Sequence, residues 1–227
     1  MPRGGGTSLA GQTVGEALVL DCSKHMTAVR EVNVDERWAR VEPGIVRDVL
    51  NAQLKPLGLH FTPDVATSSR ATVGGMIGNN SAGTHSIVYG KTVDQVIALR
   101  AVLSNGEQVA FKALTPKEYE KKCGQQDLEG NIYREVRRLV NAQADEIRAR
   151  FPKVMRRAGG YNVDLLLGEE NWNLAKIVCG CEGTLAFVTE ATVRLEPLPK
   201  ATALLMAHFK DNFEAVAAVE SMLKYHP

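Results

Sequence analysis

The run Pro2-Arg3-Gly4-Gly5-Gly6-Thr7-Ser8-Leu9-Ala10-Gly11 carries the residue types of an anion cradle. Three consecutive glycines let successive backbone N–H groups turn into one concavity, because residues without Cβ alternate hand at no steric cost. Arg3 adds a permanent forked cation, and Thr7 and Ser8 add hydroxyl donors. The chemistry indicated is phosphate binding. Standard nucleotide motifs do not account for it. A G-x-G-x-x-G register from Gly4 needs glycine where Leu9 stands, and Gly90-Lys91-Thr92 lacks the P-loop glycine, His85 occupying its place. A strand normally aims such a loop, and only Met1 and Pro2 precede it, so the sequence predicts that part of the domain lies upstream.

Three further segments have the same character: Phe61-Thr62-Pro63-Asp64, Thr72 through Gly83, and Cys181-Glu182-Gly183-Thr184. Each combines small residues with backbone and side-chain donors, suiting close approach to a large diphosphate-bearing cofactor. The cysteines Cys22, Cys123, Cys179 and Cys181 fit no iron–sulfur or zinc spacing, and reduced thiols are expected. Cys179-Gly180-Cys181 reads as a buried strand end. The histidines His25, His60, His85, His208 and His226 lack metal-site spacing, so no metal is predicted. His85 reads as an exposed loop side chain.

These residues need a scaffold. The chain has 227 residues, 44% hydrophobic and 23% charged, with a net charge of +1. It reads as an ordinary soluble, cytoplasmic protein with no electrostatic case for nucleic acid or membrane. No apolar run approaches the ~20 residues of a membrane span. Leu18–Cys22 reads as a buried strand and Ala39–Glu42 as another. From Ile45 a helix follows, with Val46, Val49, Leu50, Leu54 and Leu57 on one face and Gly58 closing it. Phe61–Gly90 shows almost no period and reads as a long functional loop.

Val96–Ser104, Asn105-Gly106 and Gln108–Phe111 predict a hairpin. Thr115 and Glu118 form a capping box ahead of a helix. Ile132, Val136, Leu139, Val140 and Ile147 predict a second, long one. From Gly183 a strand alternates through Leu185, Phe187, Thr189, Ala191, Val193 and Leu195. Beyond position 200 the pattern predicts a strand over Ala203–Phe209, a cap at Asp211 and a helix stopping at Pro227. One strand and one helix cannot cover their own apolar faces, which suggests an incomplete second domain over 201–227.

Taken together, the glycine-rich segments, Val88-Tyr89-Gly90, Gly160-Tyr161-Asn162-Val163-Asp164-Leu165 and Glu182-Gly183-Thr184-Leu185 resemble the FAD-binding domain of the FAD-linked oxidases of the vanillyl-alcohol oxidase and para-cresol methylhydroxylase (PCMH) type. The similar branch is the D-2-hydroxyacid dehydrogenases, acting on D-lactate, glycolate or D-2-hydroxyglutarate. The resemblance implies an α+β, two-subdomain PCMH-type fold over residues 1–200, truncated at its N-terminus. It also implies a flavin-dependent oxidation of a small 2-hydroxy acid by hydride transfer. Arg3, Gly4, Gly5, Gly6, Thr7 and Ser8 would hold the FAD diphosphate, and Pro63, Asp64, Thr72, Gly74 and Gly75 would line the adenosine and diphosphate path. Asn79, Asn80, Ser81 and Gly83 would approach the ribityl chain and ring, and Tyr89 and Gly90 would also be cofactor-binding. Glu182, Gly183 and Val188 would close the adenine side. Thr7 stands where covalently flavinylated members have histidine in Arg-x-Gly-Gly-His, implying noncovalent FAD. Cys181 replaces a usual serine. The family's catalytic residues lie in later regions, so no catalytic residue is expected here. The alternatives are a non-catalytic FAD-binding subunit that needs a partner chain, and a nicotinamide-dependent reductase on the same fold. The sequence names no electron acceptor, and its exposed edges predict self-association or a partner subunit.

Overall fold

The computed structural model describes residues 1–157, 159–168 and 172–225. The helix stop at Pro227 and the position of His226 lie outside them. The central element is a five-stranded antiparallel sheet. Its order across the sheet is Val29–Asn33, Trp38–Val41, Phe187–Arg194, Val96–Val102 and Gln108–Phe111. Alternation decides its faces. Ala39, Val41, Leu99, Ala101, Ala191 and Val193 point into the core. On the other face Arg40 pairs with Glu31 at 2.6 Å and Arg100 reaches Glu190 at 3.4 Å. At the buried face the short helix Ala175–Val178 packs against Val96–Val102, and Phe111 meets Tyr133 of the helix Leu128–Ala142, against which Tyr119 of Pro116–Cys123 stacks edge-on, as it does against Trp172.

Local chemistry explains the elements that follow expectation. Thr115 and Glu118 make the capping box, with Pro116 at the first helical position. Gly58 closes the helical stretch begun at Arg47, adopting φ +71°. Along that helix only Leu50 and Leu54 reach the core; Val49 and Leu57 face outward. Burying each leucine is worth about 1.5–3 kcal/mol. The hairpin forms, but only Gly106 takes a positive φ (+88°). Its N–H bonds to Leu103 O while Leu103 N–H bonds to Glu107 O. The Asn-Gly pair therefore closes a type I turn with a glycine bulge.

Several elements depart from expectation. Leu18–Cys22 contributes only a two-residue strand, Leu20–Asp21, paired in parallel with Pro2–Arg3; Leu18, Val19 and Leu20 are exposed, left uncovered among the described residues on this narrow ribbon. The region 61–90 contains the helix Val73–Asn79 and the single turn Ser86–Tyr89, and another single turn, Thr92–Gln95, follows it. The long helix is two, Leu128–Ala142 and Ala144–Arg150, broken where Gln143 leaves helical geometry (φ −112°, ψ +16°). Cys179 and Cys181 follow the short helix Ala175–Val178, not a strand, and all four cysteines are free and buried. Residues 203–209 form no strand and pair with none among the described residues, whereas Asp211 does cap the helix Asn212–Leu223. Among the described residues no helix is long and apolar enough to cross a membrane.

Candidate functional site

The first loop leaves the Pro2–Arg3 strand and lies against the segment preceding the helix Val73–Asn79. A Cβ on Gly4 would stand 2.3 Å from Thr72 Oγ1, and one on Gly5 2.3 Å from Arg70 O. Gly6 has φ +65°. Only glycine permits this approach. Thr72 caps the helix, its Oγ1 accepting the Gly75 N–H at 3.2 Å. On the far side Gly180 N–H donates to Ile77 O and Glu182 N–H to Gly78 O, at 2.8 and 2.9 Å. Asn79 Nδ2 donates to Glu182 Oε1 at 3.0 Å. Gly183 comes so close to Pro2 that a Cβ would meet its Cγ at 2.9 Å.

Three segments far apart in sequence thus close a ring, and between them lies a cavity of about 490 Å³. Tyr161 OH contacts Thr184 Oγ1 at 3.0 Å, and Asn162 Nδ2 donates to Cys179 O at 2.6 Å. The Gly160–Leu165 stretch therefore props the third segment from behind. Arg3, Gly4, Gly5, Gly6, Thr7, Ser8, Thr72, Gly74, Gly75, Asn79, Ser81, Glu182, Gly183 and Val188 all line the cavity. Sequence reasoning missed the apolar wall of Met76, Ile77, Val178 and Ala186, because buried apolar residues read as core. Gly78 also lines it, and the Gly74-Gly75-Gly78 spacing was the available signal.

Six of the expected site residues lie outside the wall. Pro63 O accepts Arg47 Nε at 3.1 Å. The Asp64 carboxylate takes Thr84 Oγ1 at 2.8 Å, the His85 backbone N–H and His85 Nδ1. Burial pushes this carboxyl up, but those donors outweigh it and hold it below its ordinary value. Gly83 presses onto the same carboxylate, where a Cβ would be 1.7 Å from Oδ1. Asn80, at φ +53°, turns its Oδ1 to the Val93 N–H at 2.9 Å. Tyr89 packs edge-on against His60, and Gly90 has φ +71° beside Asp94. These residues shape the scaffold next to the cavity. The His85 side chain is exposed, yet tied to Asp64.

The cavity is polar at one end. Arg3 Nη1 donates to Asp21 Oδ2 at 2.6 Å. The Asp21 carboxyl is held down at about 2, first by the side-chain and backbone bonds from Ser23 and then by Arg3. Two thiols, Cys22 and Cys181, also reach the wall. Burial and then the Asp21 charge push the Cys22 thiol up. Cys179, just behind the wall, is pushed up to about 12 by burial. The residues fit FAD. A glycine nest with an arginine suits the diphosphate, and an apolar wall opposite suits a flat ring system.

Glycine loops closing such a cleft on this mixed scaffold define a PCMH-type FAD-binding fold. The solved structure of alkyldihydroxyacetonephosphate synthase shares the fold, with a TM-score of 0.57 and 21% identity, over 88% of this chain and 28% of that one. Residues 1–112 match the family model of an FAD binding domain. That stretch, just under half of the chain, thus carries an FAD binding domain, and the cofactor such a domain holds is FAD. It is 40% identical over 227 residues to the D-2-hydroxyglutarate dehydrogenase of Pseudomonas putida, covering 100% of this chain and 23% of the relative. The Escherichia coli protein of that name is 40% identical over 217 residues, covering 94% and 21%. The glycolate oxidase subunit GlcD of Bacillus subtilis is 28% identical over 222 residues, covering 97% and 36%. The chain therefore spans about a quarter or less of the length of the D-2-hydroxyglutarate dehydrogenases named here.

Proposed function

We propose that this chain is the FAD-binding portion of a flavin-dependent dehydrogenase of D-2-hydroxy acids, of the D-2-hydroxyglutarate type, and that it holds FAD without a covalent bond. The observation that carries the reading is the cleft itself, which three sequence-distant glycine segments close around one cavity. The substrate class is supported by 40% identity across the chain to a D-2-hydroxyglutarate dehydrogenase, against 28% to a glycolate oxidase subunit. Arg3, Gly4–Gly6, Thr7 and Ser8 bind the diphosphate. Thr72, Gly74 and Gly75 line its path, Asn79 and Ser81 reach toward the ribityl side, and Glu182, Gly183 and Val188 close the other wall. Residues 201–227 belong to a second unit, in keeping with the exposure of Leu204, Leu205, Phe213 and Val216.

FAD, when bound, supplies the two-electron acceptor that the amino acids lack. The chain orients it and excludes water along the Met76, Ile77, Val178 and Ala186 wall. No residue here is assigned to the proton transfer. Thr7 offers a hydroxyl and no ring nitrogen at the position of attachment, so acid precipitation should release all flavin into the supernatant. Flavin remaining in the pellet refutes the noncovalent assignment. Incubated with FAD and desalted, the chain should keep absorption bands near ~375 and ~450 nm, as expected of bound flavin. A protein of the relatives' length carrying this chain should bleach its flavin fastest with D-2-hydroxyglutarate. Bound flavin that none of D-2-hydroxyglutarate, D-lactate and glycolate bleaches refutes the substrate class.

A further inference from the structure

We propose that Asp21 is a positioning residue for cofactor binding. Anchored by Ser23, it fixes the Arg3 guanidinium beneath the Gly4–Gly6 loop, leaving the remaining donors of Arg3 for a diphosphate. The inference rests on the reading that this loop takes the FAD diphosphate. The arrangement is a relay of short contacts. Asp21 Oδ1 accepts the Ser23 hydroxyl at 2.6 Å and the Ser23 backbone N–H at 2.9 Å, and its Oδ2 accepts Arg3 Nη1 at 2.6 Å. The backbone is fixed in step, since Cys22 N–H donates to Arg3 O at 3.0 Å.

The other edge of the guanidinium faces the nest. Arg3 Nη2 stands 3.1 Å, and Nε 3.6 Å, from where a Cβ on Gly6 would be. A guanidinium has five N–H donors, and Asp21 is the one side-chain partner of Arg3 among the described residues. Arg3 lines the cavity, whereas Asp21 does not and sits behind the cation.

A carboxylate there has two opposite effects on an anionic ligand. It offsets the charge of Arg3, which weakens binding, and it orders Arg3 beforehand, which strengthens it. Arg3 and Asp21 are 38% and 42% exposed in their side chains, so water and salt screen the first effect. Ordering a free, rotamer-rich side chain on binding costs about two- to tenfold in affinity. Ordering therefore prevails. The carboxyl, held at about 2, is ionised throughout the range in which flavin titrations are run, so the relay is present in all of them.

The test is FAD affinity of the 227-residue chain by flavin fluorescence titration, for wild type, Asp21→Asn, Ser23→Ala, Arg3→Ala and Arg3→Ala/Asp21→Asn. Asp21→Asn should weaken binding about two- to tenfold, and Ser23→Ala, which alters no charge, should weaken it less. Arg3→Ala should weaken it more, and Asp21→Asn should add nothing in that background. Tighter binding by Asp21→Asn, or an equal loss with and without Arg3, overturns the positioning role and leaves the diphosphate reading intact. An Arg3→Ala chain binding as wild type overturns that reading, and a wild type that binds no FAD overturns both.

Discussion

Three glycines in the seven-residue helix Val73–Asn79 pose a problem of sign that the structure resolves. Each costs about 0.5–1 kcal/mol relative to alanine in a helix, so propensity alone favours replacing any of them. At Gly74 a Cβ would lie 2.6 Å from Pro43 Cβ and 2.9 Å from Pro43 O. The Gly74 N–H bond to Pro43 O, at 2.7 Å, prevents the two from separating. Overpacking against fixed backbone costs about 1–3 kcal/mol, which exceeds the propensity gain. At Gly78 the nearest atoms, Glu182 Cα and Gly183 N, stand 3.9 Å away, an ordinary contact. Gly74→Ala should therefore lose about 1–2 kcal/mol and Gly78→Ala gain up to about 1. For a chain of this size each kcal/mol moves Tm by about 2–4 °C. Urea and thermal unfolding without FAD, followed by circular dichroism, measure both. Gly74→Ala at or above wild type, or Gly78→Ala below it, refutes the reasoning. Gly78 lines the cavity, so its alanine variant should bind FAD more weakly even though it unfolds later.

Acid should act through Asp64. Its folded pKa lies below the ordinary 3.8, so its contribution is fully present above that value and is lost as pH falls through the folded pKa. Asp64→Asn should flatten the decline of the urea midpoint below pH 3.8, and a slope unchanged from wild type contradicts this. Within the helical layer, Tyr119 OH donates to Tyr133 O at 2.9 Å, whereas Tyr133 OH is buried without a partner among the described residues. Tyr119→Phe should cost about 1 kcal/mol and Tyr133→Phe nothing or less. Equal losses in denaturant titrations would show that Tyr133 OH has an acceptor.

The elements legible in the sequence are those whose signals are local. The Thr115–Glu118 box, the Gly58 stop and the alternation of Ala191, Val193 and Leu195 each depend on residues within one turn or strand. Illegible elements depend on distant partners. The apolar run at Leu18–Leu20 suggested burial, yet its fate is set by what covers it. The stretch 203–209 has strand composition and no strand to pair with. The break at Gln143 was hidden because apolar spacing continues on both sides. The candidate site divides in the same way. Gly4–Gly6 and Thr72–Gly75 could be read as cradle because glycine has few other reasons to cluster. Asp64 and Asn80 could not be placed, since a short polar side chain serves a ligand or a backbone N–H equally well.

The third wall of the cleft shows why such long-range terms decide the site. A helix leaves its last carbonyls without partners inside it; in Val73–Asn79 the N–H groups of Asn80 and Ser81 meet Ile77 O and Met76 O locally, and Ile77 O and Gly78 O are met from a hundred residues away as well. Ile77 O accepts the N–H of Gly180, and Gly78 O that of Glu182. Reaching both requires a left-handed path, with φ +90° at Gly180, +50° at Glu182 and +76° at Gly183. Glycine tolerates this freely, but at Glu182 it costs about 1–2 kcal/mol. Two bonds offset that cost, the Glu182 N–H to Gly78 and the Glu182 carboxylate to Asn79 Nδ2. Completing the helix and closing the wall are therefore one event. A loss of either the Gly180–Glu182 turn or the helix end would open the cavity from the side on which Gly183 meets Pro2.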